Sequence, residues 1–232
     1  MPLVVRSWNV FHGRTWPESR RTHLEDVVRL VSGGADIVAL QELPLWALSR
    51  LESWSGMEAS WTWTMPALYG PLGRAAAAFD PVRFRSQATG QANALLVRRG
   101  LRIIGQRMRI LNPEVGLRDR LLRWRQRRAC HAVDIEDGGR HIVVGNLHTD
   151  GDPTQIARAV ALVADAKACI LCGDFNIPAH ALAGFSAPLE GIDQILVRGL
   201  ELVEPPATWE DERRRAGRRL LSDHPPIEAV VA

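Results

Sequence analysis

The sequence lacks the features of a membrane or exported protein. No apolar run approaches the length of about 20 residues that a bilayer-spanning helix needs. The N-terminal stretch MPLVVRSWNV has no charged leader followed by a long apolar core, so a secretory signal is not indicated. We therefore expect a cytoplasmic protein with no membrane insertion.

Cysteine is scarce, with Cys130, Cys169 and Cys172 as the only residues of this type. Three thiols do not suggest a disulfide framework. Cys169 and Cys172 have C-x-x-C spacing, which is compatible with a redox pair or half of a metal site. However, they lie on a predicted strand, where positions three apart point to opposite faces, and there is no second C-x-x-C. The pattern favours buried structural thiols.

Lysine is nearly absent. Lys167 is the only lysine among 29 lysine and arginine residues, so arginine carries almost all of the positive charge. The formal net charge is +3. This mildly basic balance permits a polyanionic partner but does not require one. Heavy use of arginine fits phosphate binding and genomic base composition equally well.

What is present is typical of a folded globular protein: 232 residues, 46% of them apolar and 24% charged. Residues 4–10 are predicted to form a strand, 23–31 a helix and 35–40 a second strand, an order typical of layered α/β folds. No repeat, linker or change of composition divides the chain, so we expect one domain over residues 1–232. Further strands are predicted at 93–98, 101–111, 129–135, 141–146, 169–171, 192–197, 200–203 and 227–231, and a further helix at 155–167.

Tryptophan and arginine are concentrated in short segments. Four tryptophans fall within residues 46–63, a pattern more typical of core packing than of a binding surface. Arginines are concentrated in RDRLLRWRQRR (118–128) and WEDERRRAGRR (209–219). Such stretches suit contact with a phosphate backbone, but they are equally typical of a solvated face or a mobile charged loop.

Polar residues stand at the ends of the predicted strands, which is where α/β folds assemble their sites. A turn or a helix cap would explain any one of these clusters. Six in one chain are harder to explain in that way. They are Ser7-Trp8-Asn9, Gln41-Glu42, Asn146-Leu147-His148-Thr149, Gly173-Asp174-Phe175-Asn176, Asp193, and Ser222-Asp223-His224.

Some of these residues are suited to binding a metal ion. Glu42 and Asp223 carry hard oxygen ligands of the kind that Mg²⁺ or Mn²⁺ prefers, and Asn9 could complete the coordination shell. No cluster of cysteine and histidine indicates structural zinc. Together with the reactive residues described next, this donor set points to metal-assisted hydrolysis of a phosphate ester.

The other residues suit the reaction itself. His224 is a candidate general base, and Asp193 could fix its tautomer and raise its basicity. His148 and Asn176 can donate hydrogen bonds to a phosphoryl oxygen as charge develops in the transition state. Asp174 is expected to point to the same side as Asn176, because the two are two positions apart in extended chain.

Together these motifs resemble the endonuclease/exonuclease/phosphatase superfamily, which includes DNase I-like nucleases, exonuclease III-like repair enzymes, sphingomyelinases and inositol polyphosphate 5-phosphatases. The resemblance covers essentially the whole chain in the family's order, and GDFN together with SDHPPI is its most specific part. The matching stretches are SWNV near residue 7, LQE at 40–42, NALLVR at 93–98, GNLHTD at 145–150, CGDFN at 172–176, IDQILVRG at 192–199 and SDHPPI at 222–227.

The resemblance implies a fold and a metal site. The fold would be a DNase I-like, four-layer α/β sandwich, in which two mixed β-sheets pack face to face between helices. The active site would lie at one edge of the sheets. There Asn9 and Glu42 would lie at a Mg²⁺ or Mn²⁺ ion, with Asp223 nearby.

The resemblance also implies roles in the reaction. His224 would activate the attacking water, and Asp193 would orient His224. Asp174 and Asn176 would position that water and stabilise the pentacovalent phosphorane. His148 would hold a phosphate oxygen.

Three further positions bear on the substrate. Arg127 resembles the family's phosphate-contacting arginine, with Arg128 as the adjacent alternative. Phe11 stands where some repair nucleases have an aspartate near the metal. Tyr69 is the only tyrosine, and no counterpart of the tyrosine that contacts phosphate in those enzymes is assigned. These departures concern substrate identity rather than the hydrolytic core.

Three functions are compatible with these features. The first is a nuclease, a monomer acting on phosphodiester bonds of DNA or RNA, which the arginine-rich stretches favour. The second applies the same chemistry to a nucleotide, a phosphomonoester or a lipid headgroup, since the compact chain leaves little room for inserts that grip duplex DNA. The third is a catalytically silent binding module, against which the complete set of site residues argues. We expect the first.

Overall fold

The computed structural model describes residues 1–67, 72–79, 88–116 and 126–232, and its main features are two mixed β-sheets. Each sheet contains one parallel strand pair, and its other pairs are antiparallel. The first sheet has the order β11 (Leu202–Thr208), β14 (Ile227–Val231), β1 (Leu3–Asn9), β3 (Ile37–Leu43), β5 (Gln91–Val97) and β4 (Glu58–Met65). The second has the order β10 (Asp193–Arg198), β9 (Cys169–Asp174), β8 (Arg140–His148), β7 (Ala129–Asp137) and β6 (Arg102–Ile110).

Smaller elements complete the fold. A three-stranded sheet has the order β12 (Arg215–Ala216), β13 (Arg219–Leu221) and β2 (Thr15–Trp16). The α-helices are α1 (Leu24–Ser32), α2 (Leu51–Ser55), α3 (Gly73–Phe79) and α4 (Pro153–Leu162). Short 3₁₀ helices lie at Phe11–Gly13, Leu45–Arg50 and Asp211–Arg214.

The two large sheets pack face to face, because alternate residues of their strands point into a shared apolar core. Val5, Ala39 and Leu95 of the first sheet pack in one cluster with Val144 and Ile170 of the second. The residues between these positions point to the opposite face of each sheet. They are also apolar in the central strands, which is typical of sheets that are covered on both faces.

Helices cover the two outer faces. Val27 and Val31 of α1 lie in the cluster on the outer face of the first sheet. Ile156 and Ala159 of α4 pack with Leu171 on the outer face of the second. The sheets and helices thus form four layers, which confirms the predicted α/β sandwich.

The Trp-rich segment differs in part from expectation. Residues 58–65 form the edge strand β4, in which Trp61 and Trp63 are 46% and 50% exposed. Trp54 is buried as expected, and its ring meets the edge of Trp46 at a centroid distance of 6.2 Å. The outward positions of β4 are therefore only half covered by the neighbouring 3₁₀ helix.

Two predicted elements have different ends. The helix predicted at 155–167 is α4, which begins at Pro153 and ends at Leu162. The strand predicted at 200–203 is β11, which continues to Thr208 through two prolines. Proline is tolerated there because β11 is an edge strand, where not every backbone N–H is needed for pairing.

The cysteines behave as predicted. All three are buried and none forms a disulfide. Burial raises the pKa of the Cys169 thiol to about 12, and it also raises the pKa values of Cys130 and Cys172. Thiols in this state are poor nucleophiles and metal ligands.

Tyr69 and residues 118–125 of the first arginine-rich stretch lie outside the described residues. Within the four described ranges, no helix has the length and apolar character needed to cross a membrane.

A buried hydrogen-bond network joins the two large sheets. Gln41 Nε2 donates to Asn146 Oδ1 at 2.8 Å. Asn146 Nδ2 in turn donates to the main-chain oxygens of Leu40 and Ala94, at 2.9 and 2.8 Å. Gln41 and Asn146 are both fully buried. Because Glu42 and His148 follow these residues closely in the chain, the network ties together the strand ends that carry the candidate site.

Candidate active site

The polar strand ends meet at one edge of the two sheets. In the parallel pair β1–β3, Asn9 is opposite Gln41, and in the parallel pair β8–β9, His148 is opposite Asp174. Strand β10 runs antiparallel to β9 and places Asp193 opposite Asp174. The segment between β13 of the small sheet and β14 of the first sheet adds Asp223 and His224.

Gly173 permits the close approach of β8 and β9 at this edge. Its φ is +135°, and a Cβ atom there would lie 2.0 Å from the main-chain oxygen of Leu147. No other residue type would fit without moving the strands apart. The glycine of CGDFN therefore serves the pairing that places Asp174 beside His148.

His224 and Asp193 form the tightest pair in the site. His224 Nδ1 lies 2.8 Å from Asp193 Oδ2, and both side chains are mostly buried. Burial lowers the pKa of His224, but the hydrogen bond to Asp193 and the charges of Asp193, Asp174 and Asp223 outweigh it and raise the pKa to about 9. Its Nε2 faces Asp174 Oδ2 at 3.9 Å.

Asp174 is the buried carboxylate at the centre of the site, with a side chain only 2% exposed. Its Oδ2 accepts a hydrogen bond from Asn9 Nδ2 at 3.0 Å, and its Oδ1 accepts one from the Asn176 backbone N–H at 2.9 Å. Burial, followed by the charge of Asp193, raises the pKa of Asp174 to about 6. A carboxylate with a pKa near neutrality is suited to accepting a proton.

Glu42 is a largely buried carboxylate that faces two imidazoles. Its side chain is 16% exposed, and its oxygens lie 3.7 Å from His12 Nε2 and 3.9 Å from His148 Nε2. No described residue donates a hydrogen bond to it within 3.5 Å. A carboxylate removed from water in this way is stabilised by a cation, and the oxygen donors of Glu42 and Asn9 suit a hard divalent ion.

His148 is held between Asp174 and an arginine. Its Nε2 lies 3.5 Å from Asp174 Oδ2 and 2.8 Å from Arg128 Nη1. Complete burial and the positive charge of Arg128 lower the pKa of His148 well below 6.5, so the ring is neutral. Arg128 is fixed in turn by Asp150, whose Oδ1 accepts from its Nε at 2.6 Å. The contact with His148 is thus made by Arg128, the alternative to Arg127.

Asn176 and Asp223 lie at the margin of this group. Asn176 Nδ2 donates to the Thr149 main-chain oxygen at 2.9 Å. Its φ is +52°, so the chain at Asn176 is not extended. The expectation that Asn176 and Asp174 point to the same side assumed extended chain and is therefore not supported by the backbone. Asp223 is exposed and lines a cavity of about 290 Å³ together with Asp193 and His224.

Backbone strain is concentrated at the site. Six described non-glycine residues have clearly positive φ, and all except Ala179 belong to the site or directly adjoin it. Each such conformation costs on the order of 1–3 kcal/mol and persists only where surrounding contacts enforce it. The five are Phe11, His12, Glu42, Asn176 and Ser222.

The second arginine-rich stretch is folded rather than a free charged loop. Arg213 lies 3.5 Å from the Trp209 ring, and Arg219 Nη1 donates to the main-chain oxygens of Pro17 and Glu18 at 2.8 and 2.7 Å. Arg214 is buried. These three arginines therefore make contacts within the protein, although only Arg214 is buried.

Contacts shorter than 4 Å connect most of the residues singled out from the sequence: Asn9, Glu42, His148, Asp174, Asp193 and His224. Sequence reasoning missed His12, which contacts Glu42. Its position three residues after Asn9 was the available signal. A separate group that could hold a cation is Asp174, Asp193 and His224, whose ligand atoms lie within 4.8 Å of one another.

Comparison with models of known protein families identifies a family for this chain. The family model described as the Endonuclease/Exonuclease/phosphatase family matches residues 7–224. No match to a curated protein was found.

Several solved structures share the fold at low sequence identity. An endonuclease/exonuclease/phosphatase from Beutenbergia cavernae has a TM-score of 0.68 at 15% identity, covering 99% of this chain and 71% of that one. A humanized D. rerio TDP2 has a TM-score of 0.64 at 13% identity, covering 100% and 99%. The human Nocturnin catalytic domain, solved with a bound sulfate anion, has a TM-score of 0.65 at 15% identity, covering 100% and 93%.

Proposed function

Because the chain belongs to the endonuclease/exonuclease/phosphatase family, we propose that it is a metal-dependent hydrolase of phosphodiester bonds. The observation that carries this proposal is the arrangement of the His224–Asp193 pair beside the buried Asp174, with Glu42 and Asp174 both facing His148 Nε2. We further propose that residues 1–232 act as one catalytic domain, since both large sheets contribute to this arrangement.

The proposed metal is Mg²⁺ or Mn²⁺. Two residues suit such an ion. Glu42 is a largely buried carboxylate that accepts no hydrogen bond from a described residue, and Asn9 offers an amide oxygen. Asp223 is proposed as a further oxygen ligand. When bound, such an ion polarises a phosphoryl oxygen and offsets the charge that develops on it.

The remaining residues would bind the phosphate and move protons. One ring nitrogen of His148 would accept from Arg128, and the other, which carries the proton in the neutral ring, would donate a hydrogen bond to a phosphoryl oxygen. Arg128, or Arg127 as expected from the family pattern, would add positive charge there. Asn176 would help to hold the attacking water, because its backbone N–H fixes Asp174.

The pKa directions suggest how Asp174 and His224 divide the work. A pKa of about 6 leaves Asp174 mostly ionised at neutral pH, so it can accept the proton of the attacking water. A pKa of about 9 leaves His224 protonated, so it would donate a hydrogen bond to the phosphate. The general-base role expected for His224 from the sequence would then pass to Asp174.

The substrate has two candidates. A nucleic acid is the first, on the strength of the basic composition. A smaller phosphodiester is favoured by a specific observation: Arg213, Arg214 and Arg219 make contacts within the protein, which leaves fewer of their N–H donors for the phosphates of a long polyanion. Both candidates use the same chemistry.

The test is hydrolysis of supercoiled plasmid and of bis(p-nitrophenyl) phosphate with Mg²⁺ or Mn²⁺. His224→Ala is the inactive variant and EDTA the metal-free control. His141→Ala is the matched histidine control, since His141 lies at the opposite end of β8 from His148 and its side chain is 56% exposed. Plasmid nicking that His224→Ala and EDTA abolish supports the nuclease. Hydrolysis of the small diester alone supports the second candidate, and activity that survives in His224→Ala contradicts the proposal.

A further inference from the structure

Arg214 is the most buried of the arginines in the 209–219 stretch, at 6% exposure. Its Nη1 donates to three main-chain oxygens, those of Leu221, Ser222 and His224, at 3.2, 3.1 and 3.3 Å. Its Nε and Nη2 both donate to Asp211 Oδ1, at 3.1 and 2.7 Å. One guanidinium group therefore links the preceding 3₁₀ helix to the segment that carries Asp223 and His224.

The segment held by Arg214 has a strained backbone. Ser222 has a φ of +63°, a conformation that a residue with a side chain rarely adopts. Ser222 Oγ donates to the Asn9 main-chain oxygen at 2.6 Å and accepts from the His224 N–H at 3.2 Å. Because this conformation is costly, it requires contacts that enforce it. Arg214 supplies three such contacts to the segment.

The carbonyl of His224 shows how closely this segment is fixed. It accepts a hydrogen bond from Trp8 Nε1 at 2.8 Å in addition to that from Arg214. With its main chain held in this way, the His224 ring can meet Asp193 at 2.8 Å and face Asp174. A small shift of the main chain would break that alignment, and a misplacement of about 1 Å can reduce a rate by about 100-fold.

We propose that Arg214 is a positioning residue for catalysis, which fixes the backbone of residues 221–224 so that Asp223 and His224 face the site. The proposal rests on the hydrolase function proposed above. Arg214 does not bind phosphate, because its donors are used within the protein and it is buried. The planar guanidinium suits this role better than an ammonium group, since its fork of N–H donors reaches several acceptors at fixed angles.

The variants for the test are Arg214→Met, Arg214→Lys and the matched control Arg215→Ala. Arg215 is the next residue, with a 45% exposed side chain that pairs only weakly, at 3.6 Å, with Glu212. We expect Arg214→Met to lower kcat on bis(p-nitrophenyl) phosphate by about 10- to 100-fold, with KM changed by less than about threefold. Arg214→Lys should recover part of kcat, and Arg215→Ala should match the unmodified protein.

A second readout does not depend on activity. The proton of His224 Nδ1 in its hydrogen bond to Asp193 is measured by NMR in the same proteins, together with thermal unfolding. We expect this resonance to shift or broaden in Arg214→Met, to be partly restored in Arg214→Lys and to stay in place in Arg215→Ala.

The outcomes separate the two proposals. If a folded Arg214→Met, or Arg214→Lys where the methionine variant does not fold, keeps full kcat and an unchanged resonance, Arg214 is not a positioning residue. A loss of kcat that merely follows the unfolded fraction overturns the proposal in the same way. If the unmodified protein hydrolyses nothing, the proposed function fails, and the NMR signal alone still decides the role of Arg214.

Discussion

At the scale of single residues, one carboxylate oxygen of Asp193 bonds to His224, and the other is buried with no hydrogen-bond partner among the described residues. Its negative charge is therefore directed mainly at the imidazole. We expect Asp193→Asn to lower kcat by roughly 10²- to 10⁴-fold, because an amide neither fixes the same tautomer nor stabilises the protonated ring. The measurement is steady-state hydrolysis of the diester.

The matched control for that variant is Asp165→Asn. The Asp165 side chain is 78% exposed and pairs at 3.3 Å with Arg107 of the edge strand β6, far from the candidate site residues in the sheet order. An Asp193→Asn protein as active as Asp165→Asn would show that the pair does not serve the reaction.

The pH dependence of the rate follows from the two central groups. Protonation of Asp174 as the pH falls through about 6 removes the proton acceptor, and deprotonation of His224 as the pH rises through about 9 removes a hydrogen-bond donor. We therefore expect a bell-shaped plot of kcat/KM against pH. A profile that only rises with pH over this range would contradict the assigned protonation states.

His12 adds a prediction about metal affinity. Its Nε2 lies 3.7 Å from Glu42 Oε2, and its Nδ1 lies 3.3 Å from Thr89 Oγ1, so the ring can orient the carboxylate. We expect His12→Ala to weaken Mn²⁺ binding by about 10- to 100-fold, since groups that orient a metal ligand commonly have effects of this size. Isothermal titration with Mn²⁺ measures the affinity. His23→Ala is the histidine control, because His23 pairs with Asp26 of α1 rather than with a candidate metal ligand. Equal affinities in the two variants would refute the assignment.

At the scale of elements, His131 forms a contact between β7 of the second sheet and the edge strand β4 of the first. Its Nε2 on β7 lies 3.0 Å from Ser60 Oγ on β4, and burial lowers its pKa from 6.5 to about 4. Between these two values the unfolded chain binds a proton that the folded protein does not. The free energy of unfolding therefore falls as the pH drops from 6.5 towards 4, by up to about 1.4 kcal/mol per pH unit.

Urea unfolding between pH 7.5 and 4.5 tests this linkage. His131→Gln keeps a hydrogen-bonding side chain but cannot titrate, so its stability should fall less steeply below pH 6.5 than that of the unmodified protein. His148 contributes in the same direction in both proteins, so the difference between the two slopes isolates His131. Parallel slopes would show that His131 is not the group responsible.

The elements also show what a sequence can and cannot predict. The strand ends were predictable because their polar residues interrupt apolar runs, and the pairings then bring Asp174, Asp193 and His148 together. The contact between Arg128 and His148 could not be predicted, because both arginines precede β7 in irregular backbone, where no strand alternation indicates which side chain faces the site. Arg214 lies among other arginines, and no local pattern distinguishes the buried one from its exposed neighbours.

At the scale of the whole molecule, Asn146 is the centre of the buried hydrogen-bond network that joins the two large sheets. Asn146→Leu would remove its bonds to Gln41, Leu40 and Ala94 and leave buried polar groups without partners. We expect the free energy of unfolding to fall by about 2–5 kcal/mol. Urea unfolding measures this free energy.

The double variant Asn146→Leu/Gln41→Leu should lose less unfolding free energy than the sum of the two single variants, because both changes remove the same hydrogen bond. Strictly additive losses would argue against this bond between the sheets.

The division of the site between the sheets has a consequence for how the protein loses activity. Asn9 and Glu42 lie on strands of the first sheet and His224 precedes its strand β14, whereas His148, Asp174 and Asp193 lie on strands of the second sheet. Fraying of an edge strand such as β4 or β6 would leave all six in place, whereas separation of the sheets would disperse them. Inactivation in denaturant should therefore coincide with cooperative global unfolding, which makes a hydrolysis assay a direct measure of the folded fraction.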